Sequence, residues 1–479
     1  MENSRIRKNY IYNVSYQILI LIVPLITMPY ISRVLGADGI GTVSFAQSVV
    51  AYFTLFAAMG ISTYGQREIS YVQNDKHRRS VVFWETKLLS FIVAGIVCVF
   101  YFIFLIFTDN SALYLILSMS VFAVLVDITW FFQGMENFGS IVLRNTLAKV
   151  LGVIFVFLFV KTKSDVNKYA FSLVFFTLLG NISMWAELPR YIERVPFSSL
   201  KPFSSFSTVI SLFIPTIAIQ IYTVLDKTML GLITGDSFEN GYYEQSVMIA
   251  KMALAVVTAL GTVLIPRIGF YFEQKDTQNI KRLMYRGYKF VWFIGIPMCF
   301  GMIAVSKNFV PWFYDPGYEK VADLLNVLSF LILAIGINNV TGMQYLIPTK
   351  QQNIFTKTVL IGAATNVALN AVLIYYFKSI GAAIASVAAE TVIAIVQLYI
   401  VRHEFSWREI LKSGKNYYIS GIIMFALLLI IGNNLTPSIL HTILMIIIGG
   451  GVYFLLLFIF KDEFFINNLK SVLNKLKHS

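Results

Sequence analysis

Several ionisable side chains of this chain stand inside long apolar runs, where each costs about 2.5–3.5 kcal/mol at a helix centre on insertion scales. They are Glu85, Lys87, Asp127, Lys149, Asp226, Lys227, Lys251 and Glu390, with Glu187 near the end of a run. Residues of this kind usually face a bundle interior or a water-filled cavity. A buried carboxylate attracts a proton or a small cation, and a buried ammonium or guanidinium attracts an anion. Catalytic constellations are not visible. There is no nucleophile with a base, no carboxylate pair beside a plausible cleft, and no GxGxxG or Walker-type phosphate loop. Cys98 and Cys299 lie in apolar runs, and His77, His403, His441 and His478 are scattered without ligand spacing, so neither a disulfide framework nor a metal site is implied. The chemistry on offer is transport, not an enzyme reaction.

The elements that must position these residues are membrane spans. The chain is 57% hydrophobic and only 13% charged, with a mean hydropathy of +0.72; soluble domains carry roughly 25% charged residues. An apolar run of about 20 residues crosses a bilayer as a helix. About fourteen such runs are present, so the expected fold is an all-α polytopic membrane protein. They cover 10–33, 41–62, 82–107, 112–133, 141–161, 169–188, 206–232, 242–266, 287–306, 322–346, 354–377, 380–401, 417–433 and 438–460. The first run is too long for a cleavable signal peptide and has no small-residue cleavage site after it. The net charge of +13 does not call for nucleic acid. With both termini in the cytoplasm, about 28 of the 38 Lys and Arg fall on cytoplasmic segments and about 7 on outer loops, as the positive-inside rule requires. The loop holding Lys161, Lys163 and Lys168 is the one outer loop that resists the rule.

The stretch Pro24–Glu68 reads as a helical hairpin closed by Leu35-Gly36-Ala37-Asp38-Gly39-Ile40-Gly41, with Pro24, Pro29 and Arg33 in its first arm. A faint repeat relates it to a later stretch. Gln47-Ser48-Val49 matches Gln245-Ser246-Val247, and Leu35-Gly36 matches Leu230-Gly231. The repeat predicts two six-helix lobes, 1–200 and 201–403, followed by two appended spans and a basic tail, 404–479.

At 1.5 Å per residue, Lys251 lies roughly 13 Å in from the outer end of its span, and Asp226 and Lys227 roughly 8–9 Å in from theirs. Arg33 stands at the outer end of the first span. If the lobes face each other, Arg33, Lys227 and Lys251 converge on the outer half of a cationic central cavity, with Gln47 and Gln245 as further cavity candidates. Snorkelling of the two lysines to the headgroups is the competing reading. Asp127 and Phe131 share a helix face at i, i+4, with Trp130 placed as an interfacial aromatic. Asp127, Asp226 and Glu390 are the candidates for ion coupling; for Asp127 a hydrogen bond to a neighbouring helix is the plainer role. Glu390 follows the small-residue surface Gly381–Ser386, suited to close helix packing, and Asn366 and Asn370 suit helix-to-helix hydrogen bonds.

Five segments carry a resemblance: PYISRVLGADGIGTVSFAQSVVAYF, GISTYGQREIS, DITWFFQGMENF, VLDKTMLGLIT, and GAATNVALNAVLIYYF followed by IGAAIAS. The chain resembles the Wzx-type polysaccharide flippases of the multidrug/oligosaccharidyl-lipid/polysaccharide exporter superfamily. The resemblance implies two six-helix lobes around a central cavity with extra helices at the end. It implies alternating-access transfer of an undecaprenyl-diphosphate-linked oligosaccharide between leaflets of a bacterial cytoplasmic membrane, for capsule, O-antigen or another surface polysaccharide. A polysaccharide polymerase and assembly proteins would be its partners, besides membrane lipids. By the same resemblance Arg33, Lys227 and Lys251 are candidates to meet the diphosphate. No cofactor is implied; a proton or sodium gradient is the simplest energy source. An ion-coupled multidrug exporter of the same superfamily is the alternative, and a cationic cavity argues against cationic drugs by repulsion.

The charge distribution yields a topology test. Single cysteines at positions 109 and 434 should label from outside intact cells, and one at position 77 should not. Outside labelling at 77 would reverse the orientation.

Overall fold

The computed structural model describes residues 2–259 and 261–477, and the elements are helical throughout. Ten stretches among the described residues are long and apolar enough to cross a membrane. Two of them contain a sharp break. In α1 (Glu2–Ala58) the break is Gly36, and in the later helix Gln352–Ile400 it is Lys378. Each break separates two of the expected runs. The expected seventh run lies within the helix Phe206–Thr234, and the eighth, 242–266, divides between the helices Ser237–Thr258 and Gly261–Glu273. The all-α reading therefore stands, and the helices are consistent with about fourteen spans.

The chain forms two compact units. The first holds Met1–Gly231 together with Asp236–Gly241, and the second holds Leu232–Gly235 together with Tyr242–Ser479. In the first unit α1 is followed by α2 (Ile61–Tyr71), α3 (Lys76–Ile106), α4 (Ser111–Val126), α5 (Thr129–Gly134), α6 (Phe138–Phe159), α7 (Val166–Ser183) and α8 (Phe206–Thr234). One apolar core joins α1, α3, α4 and α7 through Val43, Ala46, Val50, Ala94, Leu117, Val121 and Val174. A second, aromatic core gathers Phe83, Trp130, Phe131, Phe132 and Met184. Trp130 belongs to this core and not to an interfacial belt. Its ring stacks on Phe83 with centroids 5.6 Å apart and lies over Gly65, where a Cβ would come within 2.4 Å of the indole.

The hairpin at Gly36 is tighter than its glycine content suggests. Gly36 alone leaves the helix, at φ 71°, a left-handed value that glycine tolerates and a branched side chain does not. Helix resumes at once, with Ala37 and Ile40 buried. Gly41 serves a different end. A Cβ there would sit 1.7 Å from the Ser237 carbonyl oxygen, and one at Gly241 would sit 2.0 Å from the Ala37 carbonyl oxygen. The two helix starts touch backbone to backbone. Thr228 in α8 donates to Ser48 Oγ at 2.9 Å, tying the same part of α1 to α8.

The expected outer loop that resists the charge rule has its own compensation. Asp165 pairs with Lys168 at 2.6 Å and accepts the backbone N–H groups of Lys161 and Thr162, both at 2.9 Å. The Lys168 ammonium and these amides hold the Asp165 carboxyl well below the usual carboxylate range.

In the second unit come α9 (Ser237–Thr258), most of which belongs here, α10 (Gly261–Glu273), α11 (Thr277–Phe313), α12 (Glu319–Leu328), α13 (Leu331–Asn338), a π-helical stretch Asn339–Leu346, α14 (Gln352–Ile400), α15 (Trp407–Lys412), α16 (Lys415–Asn433), α17 (Ile439–Ile459) and α18 (Glu463–Lys477). The expected span 322–346 is thus three pieces. The core is built on α11, with Tyr288, Trp292 and Ile296 against Tyr417, Met424, Tyr453 and Leu457. Polar tips in it are paired: Trp292 Nε1 donates to Ile410 O at 3.0 Å, and the Tyr417 hydroxyl to Asp462 Oδ1 at 2.9 Å. Ala382, Ala383, Ala385 and Ala389 of α14 are fully buried, as the small-residue surface predicts.

The glycine contact gives a prediction. Gly41→Val should lower the thermal unfolding midpoint of the detergent-solubilised protein by several degrees, because backbone must move to admit the side chain. Gly36→Val should also destabilise, through its φ. Gly450→Val, where a Cβ meets open space, should be nearly silent. Equal midpoints for Gly41→Val and wild type would refute the close contact.

Candidate functional site

The fourth span breaks at Asp127. Helix α4 ends at Val126, Asp127 is extended (φ −67°, ψ 126°), and α5 starts at Thr129. Asp127 and Phe131 therefore do not share one helical face, contrary to the i, i+4 expectation. The cause is local. Asp127 Oδ1 accepts the Thr129 N–H at 2.8 Å and the Thr129 hydroxyl at 2.5 Å, an alternative to helix that short polar side chains offer.

A helix that ends inside a membrane strands its last carbonyls, and no water replaces the lost donors. Here side chains replace them one by one. Asn181 Nδ2 donates to Ala123 O at 2.8 Å. Trp185 Nε1 donates to Val126 O at 2.7 Å. The Lys87 ammonium donates to Leu125 O at 2.6 Å and to Asp127 O at 3.1 Å. Lys87 has no solvent exposure. It also stands 4.9 Å from the centroid of Phe91 and 5.7 Å from that of Trp185, within cation–π range. A positive charge at a helix C-terminus meets the negative end of the dipole. In broken transmembrane helices, freed carbonyls commonly hold a small cation; in this unit an ammonium tethered to α3 takes that place.

The network continues. Arg144 on α6 donates from Nη1 to Thr129 Oγ1 at 3.1 Å and to Asn181 Oδ1 at 2.7 Å, and from Nη2 to Asn145 Oδ1. Lys87, Asp127, Thr129, Arg144 and Asn181 thus form one connected polar cluster across α3 to α7. Sequence reasoning singled out Lys87 and Asp127 separately and missed Arg144. Arg144 falls inside the expected run 141–161 but only three residues from its start; the helix begins at Phe138. The charge lies a little under two turns inside it.

The remaining candidates are placed as follows. Arg33 on α1 and Lys251 on α9 are exposed, while Gln47, Asp226 and Lys227 are half-buried. Gln245 is buried, and its side-chain oxygen meets no donor; its backbone carbonyl accepts the Tyr314 hydroxyl at 3.3 Å. Glu390 is half-buried and accepts from Asn338 Nδ2 through both its carboxylate and its backbone oxygen, the latter at 3.0 Å. Asn370 Nδ2 donates to Asn366 Oδ1 at 2.9 Å, a bond along one helix between two fully buried side chains. No cluster of three or more His, Cys, Asp or Glu side chains suited to a metal occurs among the described residues.

Residues 6–272 match the family described as polysaccharide biosynthesis protein, which is more than half of the chain. The chain belongs to this family. A protein named as an O-antigen transporter from Escherichia coli (strain K12) is 24% identical over 404 residues, covering 83% of this chain and 97% of that one. A protein named as a low-salt glycan biosynthesis flippase from Haloferax volcanii is 20% identical over 365 residues, 74% of this chain and 75% of that one. Among solved structures, the lipid II flippase MurJ in an inward closed conformation matches with a TM-score of 0.71 at 17% identity, over 95% of this chain and 99% of that one. An inward-facing multidrug resistance MATE transporter of the MOP superfamily matches at 0.61 and 13% identity, over 85% and 98%. At these identities the structural likeness speaks for the fold. These relatives are named as transporters and flippases, and this member of the family is a multi-pass membrane protein.

The carbonyl cap is testable. Lys87→Met keeps bulk but leaves Leu125 O and Asp127 O without donors, at about 1–3 kcal/mol for each stranded group. The variant should melt clearly below wild type, while Lys149→Met, at an exposed position, should not. Equal melting of the two variants would show that the cap contributes nothing.

Proposed function

We propose that this protein is a flippase that carries an undecaprenyl-diphosphate-linked oligosaccharide from the inner to the outer leaflet of a bacterial cytoplasmic membrane, by alternating access. The observation that carries the reading is the family match over residues 6–272. The names of the relatives agree with it, as does a fold shared with a lipid II flippase. The charge pattern supports an anionic cargo. Arg33, Lys227 and Lys251 are the residues assigned to the diphosphate, with Gln47 and Gln245 as polar contacts for sugar. Charge-assisted bonds to phosphate are roughly twice as strong as neutral ones. Both termini are cytoplasmic in this reading, and the polymerase that joins the repeat units is the expected partner.

Asp127, Asp226 and Glu390 are the groups through which a proton or sodium gradient would act. Of these, Asp127 accepts from Thr129 and Glu390 from Asn338, so an entering ion has to compete with these donors. The likeness to multidrug MATE transporters keeps an ion-coupled exporter of small molecules as the second reading.

In a strain lacking the native gene, Arg33→Gln and Lys251→Gln should each lose most surface polysaccharide at matched protein level, and Lys251→Arg should keep part of it. Wild-type polysaccharide in both glutamine variants would remove the diphosphate role from these residues. Full transport and unchanged ion dependence in Asp127→Asn, Asp226→Asn and Glu390→Gln would remove the coupling role.

A further inference from the structure

We propose that α18 is an interfacial helix that docks on the anionic lipid surface of the cytoplasmic leaflet. The proposal goes beyond the flippase reading and does not rest on it. From Phe464 to Lys477 the chain reads FFINNLKSVLNKLK, with three lysines and no acidic residue. Apolar residues recur at 465, 469, 472, 473 and 476, and the backbone is helical from Glu463 to Lys477. At about 100° per residue these five positions form a stripe about 100° wide. Positions 470 and 477 flank the stripe on one side and 475 on the other. Asn467, Ser471 and Asn474 fall opposite it, and all three are exposed. An apolar stripe flanked by lysines, with polar residues behind, is the pattern of a helix lying in the plane of a membrane surface. The apolar side sinks toward the acyl chains while the lysine stems reach out to the headgroups.

The start of the helix is held at the right level. The span α17 ends at Ile459, and Lys461 turns the chain at φ 51°. Asp462, which is buried, then fixes α18 to the neighbouring span. Its Oδ1 accepts the Phe465 N–H at 3.0 Å and the Tyr417 hydroxyl at 2.9 Å, and its Oδ2 accepts Asn416 Nδ2 at 3.3 Å. Asn416 and Tyr417 stand at the start of α16. Helix α18 therefore begins where one span ends and another begins, which is a membrane surface. Arg408, Lys412, Lys415 and Lys461 lie along the chain at this same end, and the positive-inside rule makes it the cytoplasmic one.

Protein covers the stripe only at its first turn. The Phe465 ring stacks on Phe454 with centroids 5.5 Å apart and lies 6.3 Å from Phe293, and Phe464 lies 5.5 Å from Phe293. One turn on, Leu469 stands on the same stripe and is 40% exposed. At the end of α17, Leu455, Phe458 and Ile459 are exposed as well, as lipid-facing side chains are. What covers the stripe is set by charge. The cytoplasmic leaflet is anionic and attracts juxtamembrane lysines, and a helix tethered three residues beyond a span cannot drift away from it. A second copy of this chain would instead set lysines against lysines. Trp407 on α15, half exposed and with the Arg408 guanidinium 5.5 Å from its centroid, adds an aromatic anchor of the interfacial kind in the same unit.

The test uses full-length protein carrying Cys98→Ala and Cys299→Ala, with a nitroxide attached through Leu469→Cys on the stripe or Ser471→Cys opposite it. The protein is placed in nanodiscs of phosphatidylcholine alone or of phosphatidylcholine mixed with phosphatidylglycerol. Electron paramagnetic resonance then reads collision with oxygen, which enriches in lipid, and with a water-soluble nickel chelate. With phosphatidylglycerol present, the oxygen-to-nickel ratio should be several-fold higher at 469 than at 471. In phosphatidylcholine alone the ratio at 469 should fall toward that at 471, and Lys470→Gln, Lys475→Gln and Lys477→Gln together should cause the same loss in the mixed lipid. High salt should do so with the lysines intact, which serves where the glutamine variant fails to fold, the folded state being read by thermal unfolding. Free access of nickel to 469 in the mixed lipid, or an equal ratio at 469 in both lipids, would overturn the proposal. Shielding of 469 from both probes would mean that protein covers the stripe and would overturn it too.

Discussion

Backbone carbonyls inside a bilayer need donors, and the first unit is organised around meeting that need at one place. Ending α4 at Val126 leaves a run of carbonyls without the helix's own donors. Asn181, Lys87 and Trp185 supply the donors, from α7, α3 and the turn after α7. The three side chains thereby fix where those segments sit around the break. The cap is also a charge decision. A lysine without solvent exposure is affordable only because two carbonyls, two aromatic faces and a helix dipole surround the ammonium. An exchangeable ion could satisfy the same oxygens, but its departure would loosen the break. A tethered ammonium makes the break permanent.

The two units meet the polar demands of a membrane interior in different ways. The first uses charge: Lys87 bonds the Asp127 carbonyl, and Asp127 is linked to Arg144 through Thr129. The second uses neutral amides: Gln245, Asn338, Gln344, Asn366, Asn370 and Gln397 are all buried, with Glu390 beside Asn338. Amides bond across or along helices without the desolvation penalty of a charge. They also leave oxygens such as those of Gln344 and Gln397 without donors. The contrast separates two tasks. Fixed charge orients and attracts, while amides stitch helices together at low electrostatic cost. One carboxylate serving two cations leaves the polar core of the first unit positive, which suits an anionic cargo on the reading given above.

Much of the fold was legible because length and hydropathy are coarse and robust. The apolar runs met helices, and the small-residue face of 381–386 was buried as read. Breaks were legible only where a glycine announced them. Gly36 did so. Asp127 did not, because its effect depends on a threonine two residues later and on donors 40 to 60 residues away along the chain. The aromatic Trp130 misled for a related reason. An interfacial position and a buried ring over Gly65 look alike in sequence, since only the partner glycine distinguishes them. Arg144 lay inside the expected run but near its start, and its role rests on Thr129 and Asn181 from two other helices, which spacing along the chain does not announce.

The glycines of the first hairpin do not make a pliant connection. Gly41 is pressed against the backbone at Ser237, and Gly241 against that at Ala37, so neither has room to swing. Only Gly36 holds a φ that marks a true turn, and it has open space around it. Bending within this part of the first unit is therefore confined to Gly36 and to the helix upstream, where Pro24 and Pro29 each remove a backbone donor. The segment that follows is held by backbone contact and tied to α8 by the Thr228–Ser48 bond. A rigid arm beside a proline-weakened one is the mechanical consequence of where the glycines are used for closeness and where one is used for conformation.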